Sequence, residues 1–111
     1  MVVAGIVLAN IRMRTEVGRY TIRGTGLYDP HNRVVAVARG YSLYDGNNHR
    51  VATVRGNDLF DPDNRRMMSL RGSEIFDSGE VRIASIAEVK KSLDGALAAM
   101  LLVAFWFCFI R

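Results

Sequence analysis

The sequence predicts a mainly β fold, made of four 16-residue β-hairpin repeats and followed by one C-terminal transmembrane helix. An Arg-Gly pair that recurs at a fixed spacing predicts the repeats, and a long uncharged apolar stretch at the C-terminal end predicts the helix. The length of 111 residues leaves room for one small domain. Because one hairpin is not stable alone, the repeats are expected to share a core, either closed around a pseudo-fourfold axis or open as a β-roll.

The repeat is defined by two short motifs that keep the same register from residue 23 to residue 86 without an insertion. The Arg-Gly pairs begin every 16 residues, at Arg23, Arg39, Arg55 and Arg71. An apolar-aromatic-acid triplet follows each pair, as Leu27-Tyr28-Asp29, Leu43-Tyr44-Asp45, Leu59-Phe60-Asp61 and Ile75-Phe76-Asp77. A unit of 16 residues has room for two short strands and two turns, so each repeat is predicted to be a β-hairpin.

The aspartate of each triplet opens a polar turn, written in the four repeats as DPHN, DGNN, DPDN and DSGE. Aspartate caps the turn backbone, proline at the second position presets φ, and asparagine tolerates the left-handed conformation. The glycine of each Arg-Gly pair is expected to turn the chain into the next unit at positive φ. The alternative to turn capping by the four aspartates is a ring of these carboxylates around a calcium ion. We expect no metal site, because His31 and His49 occupy different repeat positions and no second cysteine accompanies Cys108.

The second strand of each repeat is apolar at alternate positions, which predicts that one face of the sheet is buried. One slot of this face holds Ala36, Ala52, Met68 and Ala84, and the slot two residues later holds Ala38, Val54, Leu70 and Ile86. Small residues at an inward slot are expected where strands meet at a crowded centre. Closure around an axis would produce that crowding and would also remove the exposed sheet edges.

The motifs of residues 23–86 resemble the 4-fold beta flower domain of bacteria: a glycine turn, a triplet such as Leu-Tyr-Asp, a polar turn and an apolar strand. The resemblance implies a fold of four hairpins around a pseudo-fourfold axis. It implies no established activity.

Residues 1–22 are predicted to form a degenerate or capping β unit. The triplet slot of this unit holds Ile11-Arg12-Met13, without the Arg-Gly pair or the aspartate. Val2 to Ile6 align with the second strand of the repeats, so we expect a strand there. A signal peptide is the alternative, and it is disfavoured because no basic residue precedes the apolar residues.

Residues 93–110 are predicted to be a transmembrane helix, joined to the repeats by a linker at 87–92. The stretch from Gly95 to Ile110 has no charge and would be about 24 Å long as a helix. A buried core helix is the alternative. It is disfavoured because the stretch is apolar on every side and small hairpins enclose little volume.

Basic residues flank this segment, with Lys90 and Lys91 before it and Arg111 after it. The excess of positive charge on the N-terminal side places the repeat domain in the cytoplasm by the positive-inside rule. The sequence therefore predicts a tail-anchored, single-pass membrane protein. In that arrangement Cys108 would be a small apolar residue in lipid.

The chemistry-bearing residues are few, so we predict that the protein is not an enzyme and needs no cofactor or metal. The net charge of +4 is compatible with an anionic membrane surface and does not by itself indicate nucleic acid. The predicted role is that of a structural or accessory subunit of a membrane complex. The expected partners are membrane lipid and other subunits of the complex or further copies of the chain, with no nucleic acid.

A ligand-gated membrane effector is the alternative function. With fourfold closure the repeat arginines would form a ring of positive charge that holds an anionic ligand such as a nucleotide. The candidate ligand-binding residues of this alternative are Arg23, Arg39, Arg55 and Arg71. The competing interpretation is structural: each arginine pairs with a repeat aspartate or with a backbone carbonyl.

Overall fold

The computed structural model describes residues 19–111, which form one sheet of ten strands and two short helices. The strands are β1 (Tyr20–Arg23), β2 (Gly26–Tyr28), β3 (Val34–Arg39), β4 (Ser42–Asp45), β5 (Arg50–Arg55), β6 (Asp58–Phe60), β7 (Arg66–Arg71), β8 (Glu74–Asp77), β9 (Arg82–Ser85) and β10 (Leu93–Asp94). The helices are α1 (Ile86–Val89) and α2 (Ala99–Phe105), and α2 continues as a π-helical segment, Trp106–Ile110. The strand expected at Val2 to Ile6, the alternative signal peptide and the triplet slot at 11–13 lie outside the described residues.

The sheet is an antiparallel meander from β1 to β9, and β10 joins its first edge parallel to β1. The four expected hairpins are present as β2–β3, β4–β5, β6–β7 and β8–β9. The predicted closed or rolled arrangement is wrong, because within residues 19–111 β9 pairs with β8 alone and the strand order does not return to β1. Each repeat adds two strands to an open sheet, so equivalent residues of neighbouring repeats are about 9.6 Å apart across the strands.

The long turns of the hairpins are built in one way. In the first of them the N–H of Asn32 donates to the carbonyl of Asp29 (2.9 Å), and the N–H of Asp29 donates to the carbonyl of Arg33 (2.9 Å). A left-handed residue at the fourth turn position completes a bulged three-residue loop. These left-handed residues have φ of 66–68° and are Asn32, Asn48, Asn64 and Glu80.

The repeat aspartates are turn caps, as the sequence predicted. Oδ1 of each aspartate accepts the backbone N–H of the residue four positions later, at 2.9–3.0 Å. In the first turn the N–H groups of Arg33 and His31 both donate to Asp29 and lower the pKa of its carboxyl. Backbone N–H groups lower the pKa of Asp45 and of Asp61 in the same way, with those of His49 and Arg65 contributing most.

These depressed pKa values predict a loss of stability in acid. A carboxyl whose pKa is lower in the folded chain stabilises the fold above its unfolded pKa of about 3.9, and this contribution is lost as the pH falls through the folded pKa. We expect a triple variant, Asp29→Asn, Asp45→Asn and Asp61→Asn, to be less stable than the wild type at pH 6. The gap should close below about pH 4. Urea unfolding midpoints between pH 6 and pH 2.5 measure it, and a gap that stays constant would contradict the assignment.

The buried face of the sheet carries several rows of apolar side chains. The aliphatic residues of the triplets are fully buried, and these are Leu27, Leu43, Leu59 and Ile75. Beside them lie the mostly small residues of the second strands, Ala36, Ala52, Met68 and Ala84, which are also buried. The later slot of the second strands is buried at Ala38, Val54 and Leu70, whereas Ile86, predicted for the same slot, begins α1 and is partly buried. The helix α2 contacts β5 and α1 and contributes buried residues to the same apolar cluster. This face is therefore covered at least in part by a helix, and within residues 19–111 the expected central axis is absent.

The predicted transmembrane helix at 93–110 is wrong. No helix in residues 19–111 is long and apolar enough to cross a membrane. Leu93 and Asp94 belong to the sheet, and the helical residues from Ala99 to Ile110 would span only about 18 Å, compared with about 30 Å of hydrocarbon. The segment is apolar because Leu102 to Phe105 are buried in the domain core.

The membrane features that depended on this span are corrected with it. Single-pass, tail-anchored membrane attachment and the derived orientation are not supported, because Lys90, Lys91 and Arg111 flank a segment that packs on the sheet. The segment expected to be a linker, 87–92, holds most of α1 and the turn that leads into β10. Ser85 caps α1, and its side chain accepts the N–H of Glu88.

Candidate functional site

The face of the sheet opposite the core carries the repeat arginines in a row. Side chains alternate between the two faces of a strand, so the aromatic residue of each triplet lies on the same face as the arginine of its repeat. Each guanidinium covers the ring five residues later in the chain. The distances from the guanidinium carbon to the ring centre are 3.8 Å for Arg23 and Tyr28, 4.6 Å for Arg39 and Tyr44, 4.4 Å for Arg55 and Phe60, and 4.7 Å for Arg71 and Phe76.

Three of these arginines also bind the left-handed residue of the following long turn. Arg23 donates to Oδ1 of Asn32, Arg55 donates to Oδ1 of Asn64, and Arg71 pairs with Glu80. The predicted ring is therefore absent, and the arginines form a row with a step of about 9.6 Å. The expected pairing with aspartate or a backbone carbonyl is replaced by stacking on an aromatic ring and a bond to the turn residue.

The two halves of this face differ in charge. Each repeat arginine is paired with the residue three positions later, across the turn that contains the glycine of the Arg-Gly pair. In chain order these paired residues are Gly26, Ser42, Asp58 and Glu74. Acidic residues thus accompany the arginines in the last two repeats only. Glu80 contacts Arg66 (2.6 Å) as well as Arg71, and these two hydrogen bonds lower the pKa of its carboxyl. Among the described residues, the first half of the face consequently has more positive charge without an acidic neighbour than the second.

A cavity of about 370 Å³ opens on this face at the first strand. Its lining residues are Arg19, Thr21, Arg23, Tyr28, Asp29, Pro30 and Asn32. It lies beside β1, whose partner β10 is only two residues long and pairs with Tyr20 and Thr21. We call this cavity the first-strand cleft. Sequence reasoning found Arg23 but missed Arg19, which lies directly before β1.

The other chemistry-bearing side chains do not join this cleft, apart from the aspartate cap already described. His31 is on the first long turn, and His49 is on the second, with Nδ1 3.6 Å from Oδ2 of Asp45. Residues 19–111 contain no group of three His, Cys, Asp or Glu side chains placed to hold a metal ion. Cys108 lies in the π-helical segment, where burial raises the pKa of its thiol to about 11.

No protein-family model, curated protein or solved structure matches this chain. The resemblance to the 4-fold beta flower domain therefore stays a prediction, and the open strand order differs from the pseudo-fourfold closure that it implies. The arrangement of side chains on the sheet is what supports a functional proposal.

Proposed function

We propose that this chain is a non-catalytic structural or accessory subunit, which uses its repeat sheet to hold another subunit or a second copy of the chain. The observation that supports the proposal is the use of the recurring polar residues. The repeat aspartates bind backbone N–H groups of their own turns, and the repeat arginines cover the aromatic rings of their own hairpins. These residues hold the hairpins in shape, which is what a scaffold requires.

The partner is expected on the face that carries the arginine row. The opposite face carries the buried apolar cluster, while the arginine face keeps charged side chains that differ from repeat to repeat. Asp58 and Glu74 are the clearest of these differences, because the first two repeats have Gly26 and Ser42 at the same position. A partner that contacts this face would therefore meet a graded surface, and it could bind in only one direction.

Charge reversal on this face tests the proposal. Full-length chain carrying Asp58→Lys and Glu74→Lys is compared with the wild type by affinity purification from the source cells and by light scattering during gel filtration. We expect the wild type to form a complex of fixed stoichiometry, with itself or with another protein, and the double variant to lose it. A partner surface that complements the two carboxylates would repel the introduced lysines. This repulsion costs enough free energy to remove most of the complex.

Asp63→Lys is the matched control, because Asp63 is an exposed acidic residue at a turn tip and its carboxylate pairs only with Arg65 among the described residues. This variant should keep the complex, and thermal unfolding should show that all three proteins are folded. A chain that stays monomeric without a stoichiometric partner would refute the accessory role. Equal loss of the complex in the two variants would refute the assignment to the arginine face.

The alternative function, a ligand-gated membrane effector, required the predicted transmembrane helix as its gating element, and that helix is not present in residues 19–111. Its sensing element, an anionic ligand bound by the repeat domain, is still favoured by one observation. The first-strand cleft places two arginines around a cavity in the half of the face that has the fewest acidic residues.

A further inference from the structure

We propose that the first-strand cleft binds a small, soluble phosphate monoester, with Arg19 and Arg23 as the residues that hold the phosphate. This site is independent of the accessory role, because it is formed by one chain and needs no partner. The cleft volume of about 370 Å³ is within the range of small-molecule sites and leaves room for an organic group beside the phosphate.

Both arginines line the cleft although they are four positions apart in the chain. Thr21 and Arg23 alternate along β1 and face the same side of the sheet, and Arg19, directly before β1, lines the same cleft. The side chain of Arg23 extends over Tyr28, which is paired with Thr21, and reaches Asn32 in the long turn. Its charged end therefore lies toward the start of β1, where Arg19 enters the cleft.

Arg19 is oriented by the backbone, and this leaves donors for a ligand. One of its Nη atoms donates to the carbonyl of Lys90 (2.9 Å) and is 4.0 Å from Oδ1 of Asp94. A guanidinium has five N–H donors in a planar fork, so a single carbonyl bond and a distant, largely exposed carboxylate do not exhaust it. Arg23 is similarly fixed by a neutral amide, and no carboxylate of residues 19–111 forms an ion pair with it.

The acidic residue in the lining does not oppose an anion strongly. Asp29 directs Oδ1 to the N–H groups of His31 and Arg33, and its Oδ2 is 3.4 Å from Nε of Arg33. Its charge is therefore balanced within its own turn. The remaining polar lining supplies donors, namely the hydroxyl groups of Thr21 and Tyr28 and the amide of Asn32. Two cations and several neutral donors match a dianion with oxygen acceptors.

The repeat register shows that this arrangement belongs to the first strand. The residues 16, 32 and 48 positions after Arg19 are Val35, Val51 and Met67, which are partly buried and pack against the core. Four residues before the stacked arginine, these repeats thus have an apolar residue, whereas Arg23 has Arg19 at that position. The other repeats therefore provide controls that keep the stacking and lack the second cation.

Titration calorimetry with the full chain tests the site, with inorganic phosphate and glycerol 3-phosphate as ligands at constant ionic strength. Glycerol is the uncharged comparison. We expect saturable binding of both phosphates, tighter for the ester, and none of glycerol. Arg19→Gln and Arg23→Gln should each raise the Kd at least about tenfold, since each removes a charged donor. Arg19→Gln leaves the stacking row intact, so its effect does not depend on the stability of the repeats.

Arg71→Gln and Arg39→Gln are the matched controls, because both disrupt an arginine stacked on an aromatic ring outside the cleft. Each should leave the Kd within about twofold of the wild type. Equal weakening by Arg39→Gln and Arg23→Gln would overturn the cleft in favour of binding along the whole row. Absence of saturable binding below about 10 mM would also overturn it. Binding only to vesicles that contain phosphatidic acid, without binding of the soluble ester, would overturn the choice of a soluble ligand.

Discussion

Phe105→Ala is expected to lower the free energy of unfolding by about 3–5 kcal/mol, as large aromatic-to-alanine changes do in well-packed cores. Phe105 is fully buried in α2, and this helix contacts β5 and α1. Removal of the ring leaves a cavity in the apolar cluster that α2 shares with the sheet. The sheet cannot collapse into this cavity without bending strands that are paired on both sides. Urea unfolding, followed by the fluorescence of Trp106 and by circular dichroism, measures the loss.

Phe107→Ala is the control, because Phe107 is only partly buried and Arg111 lies over its ring at 4.0 Å. We expect this variant to lose about 1–2 kcal/mol, in proportion to the smaller apolar area that it buries. If Phe105→Ala changed the free energy of unfolding by less than about 1 kcal/mol, α2 would not be part of the core.

The hairpins were predictable because their determinants are local. Asp29, Gly24 and Asn32 fix the two turns of the first unit within nine residues, and the same residue types or close replacements return every 16 positions. Alternation along the second strand then decides which side is buried, as the burial of Ala36 and Ala38 shows. All of this information lies within one repeat, and the repeat is present four times.

The position of the C-terminal segment was not predictable from its composition. A helix that is apolar on every side suits lipid and also suits a protein core. The sequence pattern does not show that α2 packs against β5 and shares one apolar cluster with the sheet. Whether the sheet closes was also not predictable from the sequence. The repeat fixes the pairing of neighbouring strands, but the position of the first strand relative to the last depends on the twist accumulated across the sheet.

The candidate site was predicted in part. The repeat period singled out Arg23, and the idea of an anionic ligand came from the assumed fourfold ring. The structure places Arg23 on Tyr28 and beside Arg19, a residue that precedes the repeats and has no counterpart in them. The two-residue spacing from Arg19 through Thr21 to Arg23 was the signal in the sequence that could have joined these two arginines, and using it required knowledge that β1 begins at Tyr20.

Gly95→Ala is the second change with a large expected effect, because it acts where the C-terminal segment leaves the sheet. Gly95 has φ of 148°, a conformation that residues with a Cβ rarely adopt. A Cβ at this position would lie 2.5 Å from Cβ of Ile22 and 2.9 Å from its carbonyl oxygen. Neither neighbour can move freely, because Ile22 is buried in β1 and β10 is held against β1 by the bond from the N–H of Tyr20 to the carbonyl of Ser92 (2.8 Å).

We therefore expect Gly95→Ala to lower the free energy of unfolding by about 2–5 kcal/mol, as the sum of backbone strain and overpacking. Gly72→Ala is the matched control. Gly72 also has positive φ, 62°, but no atom lies within 4 Å of the added Cβ, so only the backbone cost of about 1–2 kcal/mol applies. Urea unfolding compares the two variants, and hydrogen exchange at Tyr20 should show loss of the β1–β10 pairing in Gly95→Ala only. Equal destabilisation by the two changes would mean that the contact between Gly95 and Ile22 contributes nothing to the position of the C-terminal segment.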